Sequence, residues 1–151
     1  MKSIQIPIPK GYEFHSFNTL TGEVQLKELK PKNVMERLKS VADVLADHGY
    51  TQQEFDKQNE ELTDDEIAYR IIKLLAKSLN EGWTPDWDDS SQYKYYPWFY
   101  MQGGSSGFRC GGCGDWRAGS GVGSRLCFKS AELAKYAGTQ FTDVYKKFMT
   151  L

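Results

Sequence analysis

The sequence holds two histidines and three cysteines in 151 residues, and its formal net charge is only −1. His15 and His48 lie far apart with no paired spacing, and neither sits near a candidate nucleophile, so no acyl-transfer constellation is visible. Cys110, Cys113 and Cys127 are an odd count, which speaks for reduced thiols rather than a disulfide framework. No apolar run approaches the ~18 residues that a membrane span needs. The opening Met1-Lys2-Ser3-Ile4-Gln5-Ile6-Pro7 lacks the apolar stretch of a secretory signal, so the expected location is cytoplasmic.

What is present fits one folded domain over residues 1–151, with a hydrophobic fraction of 40% and a charged fraction of 26%. The small net charge hides an asymmetry. Residues 1–89 carry 11 basic and 17 acidic side chains, whereas residues 90–151 carry 8 and 3. The C-terminal part can therefore face an anionic partner or pack against its own acidic half.

Aromatic residues and glycines concentrate late in the chain. Eleven of the 21 aromatic residues lie between Trp83 and Phe128, and nine of the 14 glycines lie between Gly103 and Gly123. Aromatic runs separated by glycine clusters predict strands joined by turns. The expected fold class is α+β: an N-terminal β unit (1–32), two or three helices (33–82), and an antiparallel three-stranded meander packed on a C-terminal helix (83–151).

In the β unit, Ile4, Ile6 and Ile8 alternate with polar or proline positions, followed by Tyr12 and Phe14, a turn at Thr21-Gly22, and Val24-Gln25-Leu26. Pro7 and Pro9 confine the first segment to an edge strand. One helix is predicted from the N-cap Asn33 to Gly49, with Val34, Leu38, Val41 and Leu45 as its apolar stripe. Capping boxes at Thr51/Glu54 and Thr63/Glu66 predict a thin surface helix and a core helix carrying Ile67, Ile71, Leu74, Leu75 and Leu79. Trp83 and Trp87 are expected to plug the junction between this helix and the sheet. A last helix begins at the N-cap Ser130.

Strand parity sorts the meander into two faces. Tyr95 and Phe99, Phe108 and Cys110, and Leu126 and Phe128 form an apolar set for the terminal helix. The other face collects Lys94, Tyr96, Trp98, Tyr100, Arg109, Arg125 and Lys129. Basic side chains among rings suit single-stranded nucleic acid, where cations meet phosphates and rings stack on bases. The same residues also serve as plain core if another element covers them, or as a protein interface rich in Tyr, Trp and Arg. A bulge at Pro97 would reverse the parity beyond it. Exposure of Trp98 separates these readings.

Other motifs carry less. Cys110-Gly111-Gly112-Cys113 supplies half of a zinc site with Cys127 as a third ligand, but the remainder is missing, and unpaired thiols in a glycine-rich turn are expected. A redox pair would need a helix after the first cysteine, and loop follows instead. Gly119-Ser120-Gly121-Val122-Gly123-Ser124-Arg125 leads into a strand and lacks the Gly-Lys-Ser/Thr of a phosphate loop. Asp86, Asp88 and Asp89 read as turn-formers. No cofactor and no catalytic constellation is expected. An enzyme would need a pocket joining Cys113 or Asp86 to a base.

Asn80-Glu81-Gly82-Trp83-Thr84-Pro85-Asp86-Trp87, Gln92-Tyr93-Lys94-Tyr95-Tyr96-Pro97-Trp98-Phe99 and Val122-Gly123-Ser124-Arg125-Leu126-Cys127-Phe128-Lys129-Ser130 resemble blocks in an uncharacterised group of phage- and prophage-encoded proteins. Glu132-Leu133-Ala134, Tyr136-Ala137-Gly138 and Gln140-Phe141 continue the likeness, which covers residues 80–141. The cysteine pair is not part of the pattern. The resemblance implies a mobile-element gene acting in a bacterial cytoplasm and transfers no residue role. The expectation is a non-enzymatic accessory protein that binds single-stranded nucleic acid through the sheet, or else a structural or protein–protein module of a phage.

Overall fold

The computed structural model describes residues 6–9, 11–28, 33–102 and 107–150. The chain separates into two compact units, Met1–Lys32 and Asn33–Leu151. The α+β class holds, with six helices and two antiparallel two-stranded sheets among the described residues.

The first unit is a hairpin of β1 (Tyr12–Phe17) and β2 (Val24–Glu28). Its turn is built by Asn18, whose side-chain oxygen accepts from the amides of Leu20 (2.9 Å) and Thr21 (3.2 Å), with Gly22 at φ 74. The ladder slips between Phe14 and Ser16, leaving His15 as the extra residue. That bulge puts Tyr12, Phe14 and Phe17 on the same side as Val24 and Leu26. The expected edge strand at Ile4–Ile8 does not form at residues 6–9, where Pro7 and Pro9 remove ladder donors, and Ile4 lies outside the described residues.

In the second unit the single helix expected from Asn33 to Gly49 is two, α1 (Val34–Arg37) and α2 (Val41–Asp47). The break has a local cause. Ser40 and Asp43 form a capping box, Ser40 N donating to the carboxylate (2.8 Å) and Asp43 N to the hydroxyl (3.2 Å). The carbonyls freed at the break are satisfied from elsewhere: Tyr136 Oη donates toward Met35 O (2.6 Å) and Leu38 O (2.9 Å), and Gln140 Nε2 donates to Lys39 O (2.7 Å). Both remaining boxes act as predicted. Thr51 and Glu54 open α3 (Gln52–Gln58), and the Glu66 carboxylate accepts from Thr63 at the start of α4 (Asp64–Asn80). Helix α3 is more than a surface rider, because Phe55 is buried with Leu45 and Ile71.

Helix α4 ends through two left-handed residues, Glu81 (φ 48) and Gly82 (φ 85). Strands β3 (Lys94–Tyr100) and β4 (Arg109–Trp116) then pair antiparallel. The expected third strand is reduced to one bridge, in which Tyr95 and Phe128 exchange hydrogen bonds of 2.9 and 2.7 Å. Its length is limited on both sides. The next donor on that edge of β3 is Pro97, which has no N–H, and in the other direction Ser130 already caps a helix. The last helix is likewise two, α5 (Ala131–Gln140) and α6 (Thr142–Met149), divided at Phe141, with Thr142 Oγ1 donating back to Gly138 O (2.7 Å).

The core joins α1, α2, α4 and the Leu38 link (Val34, Leu38, Val44, Ile72, Leu75, Leu79) to Phe99, Phe128 and the inner side of α5, α6 and their junction (Leu133, Ala134, Ala137, Phe141, Tyr145). Helix α5 lies against the inner face of the β3–β4 hairpin at Gly138. A Cβ there would stand 2.7 Å from Cys110 Sγ and 2.8 Å from Pro97 Cβ. Gly138→Ala should therefore destabilise the protein by about 1–3 kcal/mol through overpacking, against the ~1 kcal/mol that alanine otherwise adds to a helix. Chemical denaturation of the variant checks the sign.

Candidate stacking face of the β3–β4 hairpin

Strand β4 is longer than its sequence implies, running from Arg109 to Trp116 through three glycines. Trp98 pairs with Gly112 and Phe99 with Cys110, so Gly111 is the extra residue of a bulge. The bulge lies on β4 and not at Pro97, so the parity of β3 is undisturbed. Tyr95, Pro97 and Phe99 face inward. Tyr96, Trp98 and Tyr100 face outward with Arg109 and Trp116.

Glycine is required under these rings because they lie across the β4 backbone. A Cβ on Gly111 would come within 2.6 Å of Trp98 Cε3 and Cζ3 and 2.7 Å of Tyr100 Cε2, and one on Gly114 within 2.5 Å of Tyr96 Cζ. With one side resting on the strand, the rings order into a strip. Tyr96 stacks on Trp116 (centroids 5.6 Å apart, planes at 15°), and Trp98 meets Tyr100 edge-on (4.6 Å, 77°). The Arg109 guanidinium sits 4.1 Å from the Tyr100 ring centre. Trp98 is 47% exposed, Tyr100 43% and Trp116 41%. The rings are surface, not core.

The basic half of the expected site is mostly elsewhere. Lys94 is 0% exposed, because the preceding loop folds over it. Its ammonium donates to Asp89 O (3.0 Å) and Gln92 O (2.7 Å) and lies 5.3 Å from the Trp87 ring centre. Those contacts replace its hydration, so Lys94 is an internal clamp for the loop. Trp87 also donates to Ser124 Oγ (2.7 Å), tying the loop to the segment after β4. Lys129 reaches back to the end of α4, to the Glu81 carboxylate (3.2 Å) and Asn80 O (3.3 Å). Arg125 occupies an exposed turn outside both ladders, because the strand expected to orient it does not form. Of the four cations expected, Arg109 alone stands among the rings.

No family model matches the chain, and no curated protein or solved structure matches it. The site therefore rests on its own geometry. Trp116 is the residue that sequence parity missed, and it does so only because β4 was expected to stop at the glycines. Continuing the alternation two pairs beyond Gly114 and Tyr96 brings it opposite Lys94.

Cys110 and Cys113 lie in a strand rather than a turn, facing inward and half-buried, while Cys127 is buried and its thiol is pushed up by burial. No group of three or more His, Cys, Asp or Glu side chains that could hold a metal occurs among the described residues. Asp86 Oδ1 accepts from the amides of Asp88 (3.0 Å) and Asp89 (3.3 Å), and Asp89 Oδ1 from Ser91 N (2.8 Å), as turn-formers do.

Against the expectation that neither histidine sits near a candidate nucleophile, His48 lies beside a serine. His48 Nε2 lies 3.0 Å from Ser78 Oγ, which lies 2.5 Å from Asp47 Oδ2. The proton directions are those of a lock rather than a triad. His48 Nε2 is also 3.0 Å from Leu74 O, which can only accept, so this nitrogen carries the hydrogen. The Ser78 hydroxyl gives its own hydrogen to Asp47, whose carboxyl is held below its ordinary range by that bond and by Arg37. With its hydrogen bonded to Asp47, no acceptor nitrogen offered by His48 and only 6% exposure, Ser78 joins α2 to α4. Among the described residues no helix is long and apolar enough to cross a membrane.

Proposed function

We propose that this protein is a non-enzymatic binding module, and that its β3–β4 face stacks on the bases of single-stranded nucleic acid. The observation that carries the reading is the exposed, backbone-supported indole of Trp98 in line with Tyr96, Tyr100 and Trp116. Rings already held against the strand lose little freedom on binding, and each base stacked contributes about 1–3 kcal/mol. Arg109 supplies a phosphate contact or a stacking cation at one end. The likeness of residues 80–141 to phage- and prophage-encoded proteins supports a mobile-element setting and a bacterial cytoplasm.

Trp98→Ala should weaken binding of a fluorescent poly-dT oligonucleotide about 5- to 150-fold in an anisotropy titration. Because one cation stands on the face, raised salt should act weakly, with a log–log slope of about −0.7 per phosphate contacted. No binding of the intact protein at low salt would remove the reading.

A second reading follows from the same loss of cations. A face of Tyr, Trp, Met and Arg with few charges has the composition of a protein-interface centre, and Met101 at its end is 49% exposed. Under it, light scattering or a phage or host partner would show Trp98 buried in an assembly without nucleic acid.

A further inference from the structure

The bulge at Gly111 does something to the two cysteines as well as to the rings. In a regular strand, residues three apart point to opposite faces. Here Cys110 pairs with Phe99 and Cys113 with Pro97, so both point inward. Their partners are two positions apart on β3, which sets the two Cα atoms about 6.8 Å from each other. Disulfides span roughly 4.4–6.8 Å between Cα atoms. The two cysteines therefore share one face at the outer limit of that range, and a bond between them requires the bulged backbone to contract.

Both cysteines are free and half-buried as residues, whereas Cys127 is 1% exposed. Cys110 Sγ now donates to Gly112 O (3.4 Å). The hydroxyl of Tyr145 is the one buried side-chain oxygen or nitrogen without a hydrogen-bond partner among the described residues. Burial pushes that hydroxyl up and keeps it protonated.

We propose that Cys110 and Cys113 form a reversible disulfide across the bulge, and that closing it shifts the Gly111 backbone on which Trp98 and Tyr100 rest. The oxidant is a low-molecular-weight disulfide. The Cys110 thiolate attacks one of its sulfurs, the reagent's S–S bond breaks, and one thiolate leaves. The Cys113 thiolate then attacks the sulfur of Cys110 in the mixed disulfide and expels the second thiol. Two electrons and two protons pass from the cysteines to the reagent. The inference is independent of which ligand the outer face takes.

The test is incubation of the full chain with oxidised glutathione, followed by trypsin digestion without reduction and by tryptophan emission. Cleavage after Arg109 and Arg117 releases both cysteines in one peptide with no third thiol. That peptide should lose the mass of two hydrogens, while Cys127 remains alkylatable after denaturation. Emission should change, revert with dithiothreitol, and stay unchanged on oxidation of Trp98→Phe. Cys113→Ser should stop at the glutathione adduct on Cys110. The proposal is overturned if both cysteines stay alkylatable or each carries a separate adduct. It is also overturned, in its coupling to the rings, if the bond forms and the emission of Trp98 does not move.

Discussion

Replacing Phe128 with alanine should lower the unfolding free energy by about 3–5 kcal/mol, the usual effect of emptying a fully buried phenylalanine site. Phe128 is 0% exposed, and its backbone makes the one bridge between the segment before α5 and strand β3. The ring belongs to the same core as Leu79 of α4, Phe99 of β3 and Ala134 of α5, so no single element can move in to fill the void. Phe128→Leu keeps most of the buried carbon and should lose much less. Urea denaturation of the two variants gives the comparison. Equal losses would mean that the backbone bridge, and not the ring, holds this segment.

Asn80→Ala should cost about 2–5 kcal/mol, although it removes no apolar surface to speak of. Asn80 is the last residue of α4 and is 5% exposed. Its Nδ2 donates to Cys127 O (2.8 Å) and its Oδ1 accepts from Lys129 N (2.9 Å). The two bonds grip the chain on either side of Phe128 and seat that ring. Alanine would leave a carbonyl and an amide with no partner in a site with little access for water. Asn80→Asp keeps the acceptor for Lys129 but turns a second acceptor toward the Cys127 carbonyl, so it should be no better than alanine near neutral pH. Because Asn80 and Phe128 support one feature, the double variant should lose less than the two losses added together. Faster amide exchange at Lys129 in Asn80→Ala would locate the effect.

Local signals were readable and long-range ones were not. The Thr51 and Thr63 boxes and the Ser130 cap set helix starts with two or three residues each, so the sequence displays them directly. The Ser40–Asp43 box is equally local, but the apolar stripe runs across it through Leu38 and Val41 and masks the break. Outward placement of Tyr96, Trp98 and Tyr100 followed from parity. The extent of β4 did not, because its glycines carry no side chain to show a pattern, and what makes them strand is the rings lying on them. Lys94 is the clearest limit. Its burial is decided by two loop carbonyls and Trp87, whose approach no spacing rule encodes. By sequence Pro97 is a hazard to parity, yet its missing N–H falls on the far edge, where it ends the bridge to Phe128 and leaves the β4 ladder intact.

The central claim is that the outer face of β3–β4 is open and takes a planar group on its rings. The most direct test is the indole N–H spectrum of the four tryptophans, with Trp98 identified by its loss in Trp98→Phe, as poly-dT is added. The Trp98 and Trp116 resonances should shift together and saturate, while those of Trp83 and Trp87 stay in place. A titration that leaves Trp98 unmoved, or that moves only Trp83 and Trp87, would contradict it.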